Sequence, residues 1–421
     1  MRNFFRKLHL WVSVPFGLVI VVTCFTGAML VFEKEITDIC NSDVLCVEPV
    51  GEPLPFDVLV ESVEKTLPEG VEVTGIVVPA GADEAYKVNI SKPRRAAVYV
   101  NQYTGVVTGK QERLGFFNIM LRLHRWLMDT RPQDGGIYWG KMIVGASTIA
   151  FVVILLTGLF IWWPRSRKML ANRLKIVTSK GKRRFWYDLH VAGGFYVLLL
   201  LLAMALTGLT WSYEWYRNGL YVLFGADEGK SAVVNSTRVA KVSEPVFAST
   251  KDVKSDTLAT VVDGTTAATK SSWNTDGTTG ATASSWEADG TTGATFVEEL
   301  SKYALWEKAV AQVMKDDPAF AQVTVSDGTV TVKHDGWGNQ RASDKYMFDE
   351  STGEVTSVQR YDDTPVKSRV GGWAYSLHTG NWGGIVVKIL YFLAALLGAT
   401  LPLTGYYLWI KRLYGKRNNR K

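Results

Sequence analysis

Four long runs without a single Asp, Glu, Lys or Arg dominate the sequence: Leu10–Phe32, Met142–Trp163, Val191–Tyr213 and Ile389–Ile410. Each holds 22 or 23 residues. A helix rises about 1.5 Å per residue, so each run can cross a hydrocarbon layer about 30 Å thick. Buried helices of water-soluble proteins rarely stay uncharged over such a length, and four in one chain predict a membrane protein with four spans.

Charge supplies an orientation. Residues 1–9 carry Arg2, Arg6 and Lys7 and no acid; residues 164–187 carry nine Lys or Arg and no acid; residues 411–421 carry six and no acid. With four spans these segments share one side, and the positive-inside rule assigns that side to the cytoplasm, with both termini there. The rest of the chain has 29 basic against 40 acidic residues, a net of −11. The overall basicity is therefore a matter of topology and gives no reason to expect a nucleic-acid partner; the partner it implies is membrane lipid. The first run has two readings, a retained span or a cleaved leader, and the Val-Val-Thr-Cys24 stretch touches a lipoprotein cleavage pattern. The repeat described next favours a retained span. Cys40 and Cys46 allow either a local disulfide or two free thiols.

The chain repeats itself. At an offset of 181, His9 falls on His190, Thr26-Gly27 on Thr207-Gly208 and Glu33 on Glu214. At an offset of 247, Lys141 falls on Lys388, Leu156-Thr157-Gly158 on Leu403-Thr404-Gly405, Trp162 on Trp409 and Arg165 on Arg412. The segments between the spans repeat as well. Val100–Val107 and Phe348–Val355 each read as strand, Thr-Gly turn, strand. Ala85–Ile90, Gln322–Val325 and Thr329–Lys333 read as further strands, and Phe56–Leu67 and Phe296–Met314 as helices. Two small α+β domains are expected. Asp-Gly-Thr-Thr recurs at 263, 276 and 289, marking residues 260–295 as a low-complexity insertion.

The expected layout is a cytoplasmic N-terminus (1–9), spans at 10–32, 139–163, 190–213 and 385–410, and outer domains at 33–138 and 214–384. A basic loop (164–189) and a tail (411–421) complete the cytoplasmic side. Arg6-Lys7-Leu8-His9 leads into the first span, Leu189-His190-Val191-Ala192-Gly193 into the third, and Tyr99–Val107 carries a Tyr-Thr-Gly turn. With the four-span layout, these features resemble the PepSY-associated transmembrane helix family over nearly the whole chain. That resemblance implies a bacterial inner-membrane protein with four helices and two extracytoplasmic PepSY-like domains. It also implies kinship with iron-regulated proteins and with ferric-siderophore reductases that bind b-type haem.

Four of the five histidines fall into repeat-matched pairs: His9 with His190, and His124 with His378. A b-type haem needs neutral imidazoles in an apolar slot, so the pairs are candidate axial ligands of two haems. Arg6, Lys7 and Arg184 would meet the propionates on one side, Arg122 and Arg125 on the other, and Gly17, Gly193, Gly194, Gly380, Gly383 and Gly384 would admit the flat ring. His334 reads as a surface residue. HExxH, GxSxG, Walker A and strand-borne GxGxxG motifs are absent, which leaves hydrolase, ATPase and nicotinamide readings without support. The expected activity is electron transfer from a quinol or cytosolic donor to a ferric chelate or siderophore. A non-enzymatic scaffold that binds a partner or restrains a peptidase is the alternative. A metal permease is disfavoured, because the spans lack charged residues.

Overall fold

The computed structural model describes residues 1–93, 96–111, 113–133, 135–226, 300–336 and 338–418. All of these residues belong to one compact unit of helices, strands and short connections. The insertion at 260–295 lies outside the described residues.

Among the described residues, four helices are long and apolar enough to cross a membrane: Arg2–Leu30, Trp139–Trp162, Lys182–Ser212 and Asn381–Tyr414. Three of them, Arg2–Leu30, Lys182–Ser212 and Asn381–Tyr414, reach into the basic flanks, because backbone hydrogen bonding continues past the last apolar residue. The first span packs against the second and fourth, and the third against the same two. Small buried residues line the contacts, among them Gly145, Ala150, Ala205, Ala394, Ala395 and Ala399. Without a hydrophobic drive between helices in lipid, close approach of backbones at small residues supplies the packing. One turn of the third span, Leu189–Gly193, is π-helical and contains His190.

Eight strands form one antiparallel sheet: β1 (Val73–Pro79), β2 (Tyr86–Ile90), β3 (Ala97–Val100), β4 (Val107–Gly109), β5 (Gln322–Ser326), β6 (Thr329–Lys333), β7 (Asp344–Phe348) and β8 (Val355–Gln359). Their order is β4-β3-β2-β1-β5-β6-β7-β8. β1 and β5 pair through Ile76–Val325 and their neighbours. Where the sequence predicts two separate α+β domains, the strands of both modules form one continuous sheet over one core. Each module alone would leave a long central strand unpaired, and the β1–β5 ladder removes both edges at once. The helices Phe56–Glu64 and Lys302–Asp316 bury Leu59, Val60, Val63, Trp306, Ala309 and Val313 in one core with Ile76, Val88, Val98, Val323, Val325, Val330 and Val332. β5 and β6 alternate buried and half-buried residues, as a sheet covered on one face requires.

The helix Gly115–Trp126 lies against the first span, and the helix Val366–Thr379 against the third. They carry His124 and His378 from the sheet-bearing segments to the spans. The ends of the spans near Leu30, Trp139, Ser212 and Gly384 are referred to below as the sheet end, and the opposite ends as the basic end.

Candidate functional site

Each paired histidine is held by a span it does not belong to. His9 Nδ1 lies 3.1 Å from the Ile154 carbonyl and 3.1 Å from Thr157 Oγ1. His190 Nδ1 lies 3.1 Å from the Leu401 carbonyl and 2.9 Å from Thr404 Oγ1. His124 Nδ1 lies 2.9 Å from the Thr23 carbonyl and 3.4 Å from Thr26 Oγ1. His378 Nδ1 lies 2.9 Å from the Met204 carbonyl and 3.3 Å from Thr207 Oγ1. In every case the carbonyl belongs to the residue three before the threonine.

This arrangement assigns the tautomer. A carbonyl only accepts, so Nδ1 must carry the proton and donate it. The four threonine hydroxyls spend their own protons on backbone carbonyls of Val22, Val153, Ala203 and Leu401, at 2.6–2.8 Å. Each Nε2 is left with its lone pair, and among the described residues no hydrogen bond reaches it. A ring nitrogen fixed by a donated bond on the other side is the usual state of a metal-ligating histidine.

The rings come together in the pairs expected from the repeat. The centroids of His9 and His190 are 6.3 Å apart, and those of His124 and His378 are 6.0 Å apart. Two imidazoles on one iron place each nitrogen about 2 Å from the metal, so their centroids fall about 6 Å apart. The donor set, the tautomer and the spacing all fit b-type haem. Outside the membrane spans, burial lowers the pKa of His124 and His378, and Arg125 nearby pushes both the same way. Both rings are therefore neutral near pH 7, as ligation needs.

The glycines expected to admit a flat ring serve other contacts. Gly17 faces the Tyr406 ring, Gly193 Leu397, Gly194 Leu401, Gly380 Tyr391 and Gly383 Val387, while Gly384 meets nothing close. The glycines against the histidines are instead Gly27 at His124, Gly158 at His9, Gly208 at His378 and Gly405 at His190. These are the second members of the repeated Thr-Gly pairs. The sequence displayed those pairs as landmarks of the repeat, and their role emerges only once the helix neighbours are known.

The sheet-end pair opens on a cavity of about 1230 Å³. Arg125 lines it as expected; Lys141, Lys388 and Arg341 join it from distant parts of the chain. Arg122 is absent from its walls and donates to the Met128 carbonyl of its own turn. At the basic end, Arg184 is committed to the buried Asp188 at 2.7 Å. Lys388 pairs with Glu35 across the cavity wall. Thr23 Oγ1, Thr37 Oγ1 and Glu35 Oε2 also border this cavity, and they are buried without a hydrogen-bond partner among the described residues. Buried polar atoms without partners in a cavity wall are positions where a ligand or water completes the bonding.

His334 lies outside this arrangement, just past the end of β6 and 2.9 Å from Asp317. Asp344 completes a three-residue cluster there, but the Arg360 guanidinium stands 2.8 Å from Asp344 and supplies the positive charge itself. Cys40 and Cys46 are both exposed free thiols.

The PepSY-associated TM region family model matches residues 6–412. The chain belongs to this family. No curated protein matches it. As a PepSY-associated TM protein with four membrane-length helices, it is a multi-pass membrane protein. Both histidine pairs and all four Thr-Gly pairs fall within the matched residues.

Proposed function

We propose that the protein holds two b-type haems, one between His9 and His190 and one between His124 and His378, and conducts electrons across the membrane to a ferric chelate such as a ferric siderophore. The observation that carries this reading is the fourfold repetition of one device: a ring held through Nδ1–H by a carbonyl and a threonine, with Nε2 free, facing a partner ring about 6 Å away. Bound haem supplies one-electron iron chemistry, and the protein supplies orientation and environment. The threonines and carbonyls fix the ring planes, and burial keeps His124 and His378 neutral. Arg125, Lys141 and Arg341 would face the carboxylates of the sheet-end haem. A quinol or a cytosolic reductant would donate at the basic end. Dithionite-reduced protein mixed with ferric citrate should be reoxidised within seconds; reduced bands that persist would remove the acceptor from this reading.

The repeats in sequence and in histidine geometry support an internal duplication, with each half contributing two spans and four strands. The charge distribution supports an inner-membrane orientation with cytoplasmic termini and the strand-bearing segments outside, as two PepSY-like domains joined through β1 and β5. A reporter active only in the cytoplasm should work when fused after Arg173 and stay silent after Lys87. Activity at Lys87 would reverse the orientation.

A further inference from the structure

The helix Glu214–Leu223 starts one residue after the third span ends and leaves an apolar face uncovered. Trp215, Val222 and Leu223 are 67%, 61% and 77% exposed. At about 100° per residue they share with Gly219 an arc about 100° wide, the width of an apolar helix stripe. Glu214 and Asn218, also exposed, fall beside that arc. Tyr216, Arg217, Leu220 and Tyr221 make up the half-buried remainder, and the helix contacts the third span and the helix Val366–Thr379. Contiguous apolar side chains at this exposure mark a surface that meets something other than water.

Position identifies the occupant. The uncharged run Val191–Tyr213 makes about 34 Å of helix, enough for the hydrocarbon layer, so Trp215 lies just past the level of the bilayer surface. Exposed Ile137, Trp139, Ile385 and Val386 carry the lipid-facing surface of the second and fourth spans round to the same end. Trp at this level is the usual interfacial anchor. The repeat supplies a comparison. At the offset of 181 the helix falls on Glu33–Cys40, and both helices begin at the matched glutamates. Lys34, Asp38, Asn41, Ser42 and Asp43 then stand where the second half has Trp215, Gly219, Val222, Leu223 and Phe224. Ile36 and Ile39 are exposed on the first helix, at positions outside this arc. One fold thus accepts polar residues at these places, and the second half has apolar ones.

We propose that this face rests in the bilayer interface at the sheet end, with Trp215, Val222 and Leu223 among the upper acyl chains and Glu214 and Asn218 toward the water. The partner is the lipid surface itself. The helix is then a lipid-seated support for the helix Val366–Thr379, which carries His378. The proposal rests on the four spans and is independent of haem.

Nitroxide labels on single cysteines, introduced into the full chain after Cys24→Ala, Cys40→Ser and Cys46→Ser, report the surroundings of this face in phosphatidylcholine vesicles. Relaxation by dissolved oxygen, which collects in lipid, should dominate at Val222→Cys and Leu223→Cys, at a depth of about 5–10 Å into the headgroup–acyl boundary. Relaxation by a water-soluble nickel chelate should dominate at Asn218→Cys and at Ser42→Cys, the repeat counterpart of Leu223. A second measurement keeps the native cysteines. Lipids brominated near the headgroup end of the acyl chain should quench the share of the fluorescence that Trp215→Phe removes. Nickel dominance at residues 222 and 223 overturns the proposal, and so does a Trp215 signal untouched by brominated lipid. Shielding from both reagents also overturns it, because protein then covers the face. Oxygen dominance at Ser42→Cys would erase the contrast between the halves and overturn it as well.

Discussion

His190→Ala should remove about half of the bound haem, and His378→Ala the other half. The two pairs lie at different depths. On the first span, His9 belongs to one pair and Thr26, which holds His124, to the other. Seventeen residues separate them, about 25 Å of helix. One iron cannot be ligated at both levels, so the pairs serve two sites or none. Each substitution removes one proposed ligand nitrogen and leaves the other pair's carbonyl and threonine contacts untouched. His334→Ala should leave both sites filled, since its ring is engaged with Asp317 away from the spans. Haem content per chain, measured on each purified variant, is the readout. Full retention in all four paired-histidine variants would refute the ligand assignment.

Gly27→Ala should empty the sheet-end site, while Gly158→Ala should leave both sites filled. A Cβ at Gly27 would stand 2.9 Å from His124 Cε1, closer than carbon atoms pack, whereas at Gly158 it would stand 3.4 Å from His9 Cε1, in ordinary contact. His124 cannot swing aside without losing its bond to the Thr23 carbonyl. Alanine is favoured over glycine in a helix by about 1 kcal/mol, so loss of haem in Gly27→Ala would not come from a weaker span. Gly208→Ala, at 3.1 Å from His378 Cε1, should weaken haem retention, and Gly405→Ala, at 3.5 Å from His190 Cε1, should be tolerated. Equal haem content in Gly27→Ala and Gly158→Ala would show that the glycines do not seat the rings.

The spans and the pairing of the histidines were legible because both depend on patterns that survive in one dimension: uncharged length, and recurrence at a fixed offset. The partners of the histidines were not. Thr157 holds His9 from another helix, and nothing in the spacing of residues 9 and 157 says which spans are neighbours. β1 also escaped the sequence. Val73–Pro79 is buried at five of seven positions, so it lacks the alternation that marks a half-exposed strand, and Gly75 and Pro79 weigh against strand on composition. Its burial has a cause visible only in the fold, since it lies at the centre of the sheet between β2 and β5. Arg341 is a third case. It follows β6 in a loop, and only the folded chain brings it to the cavity beside His378.

The most direct test of the two-haem account is the haem content of the purified wild-type protein, expressed with ample haem and quantified as its pyridine haemochrome. The account requires a b-type spectrum that dithionite sharpens, with two haems per chain. A colourless protein would contradict it and leave the chain as a membrane scaffold whose histidines serve helix packing alone.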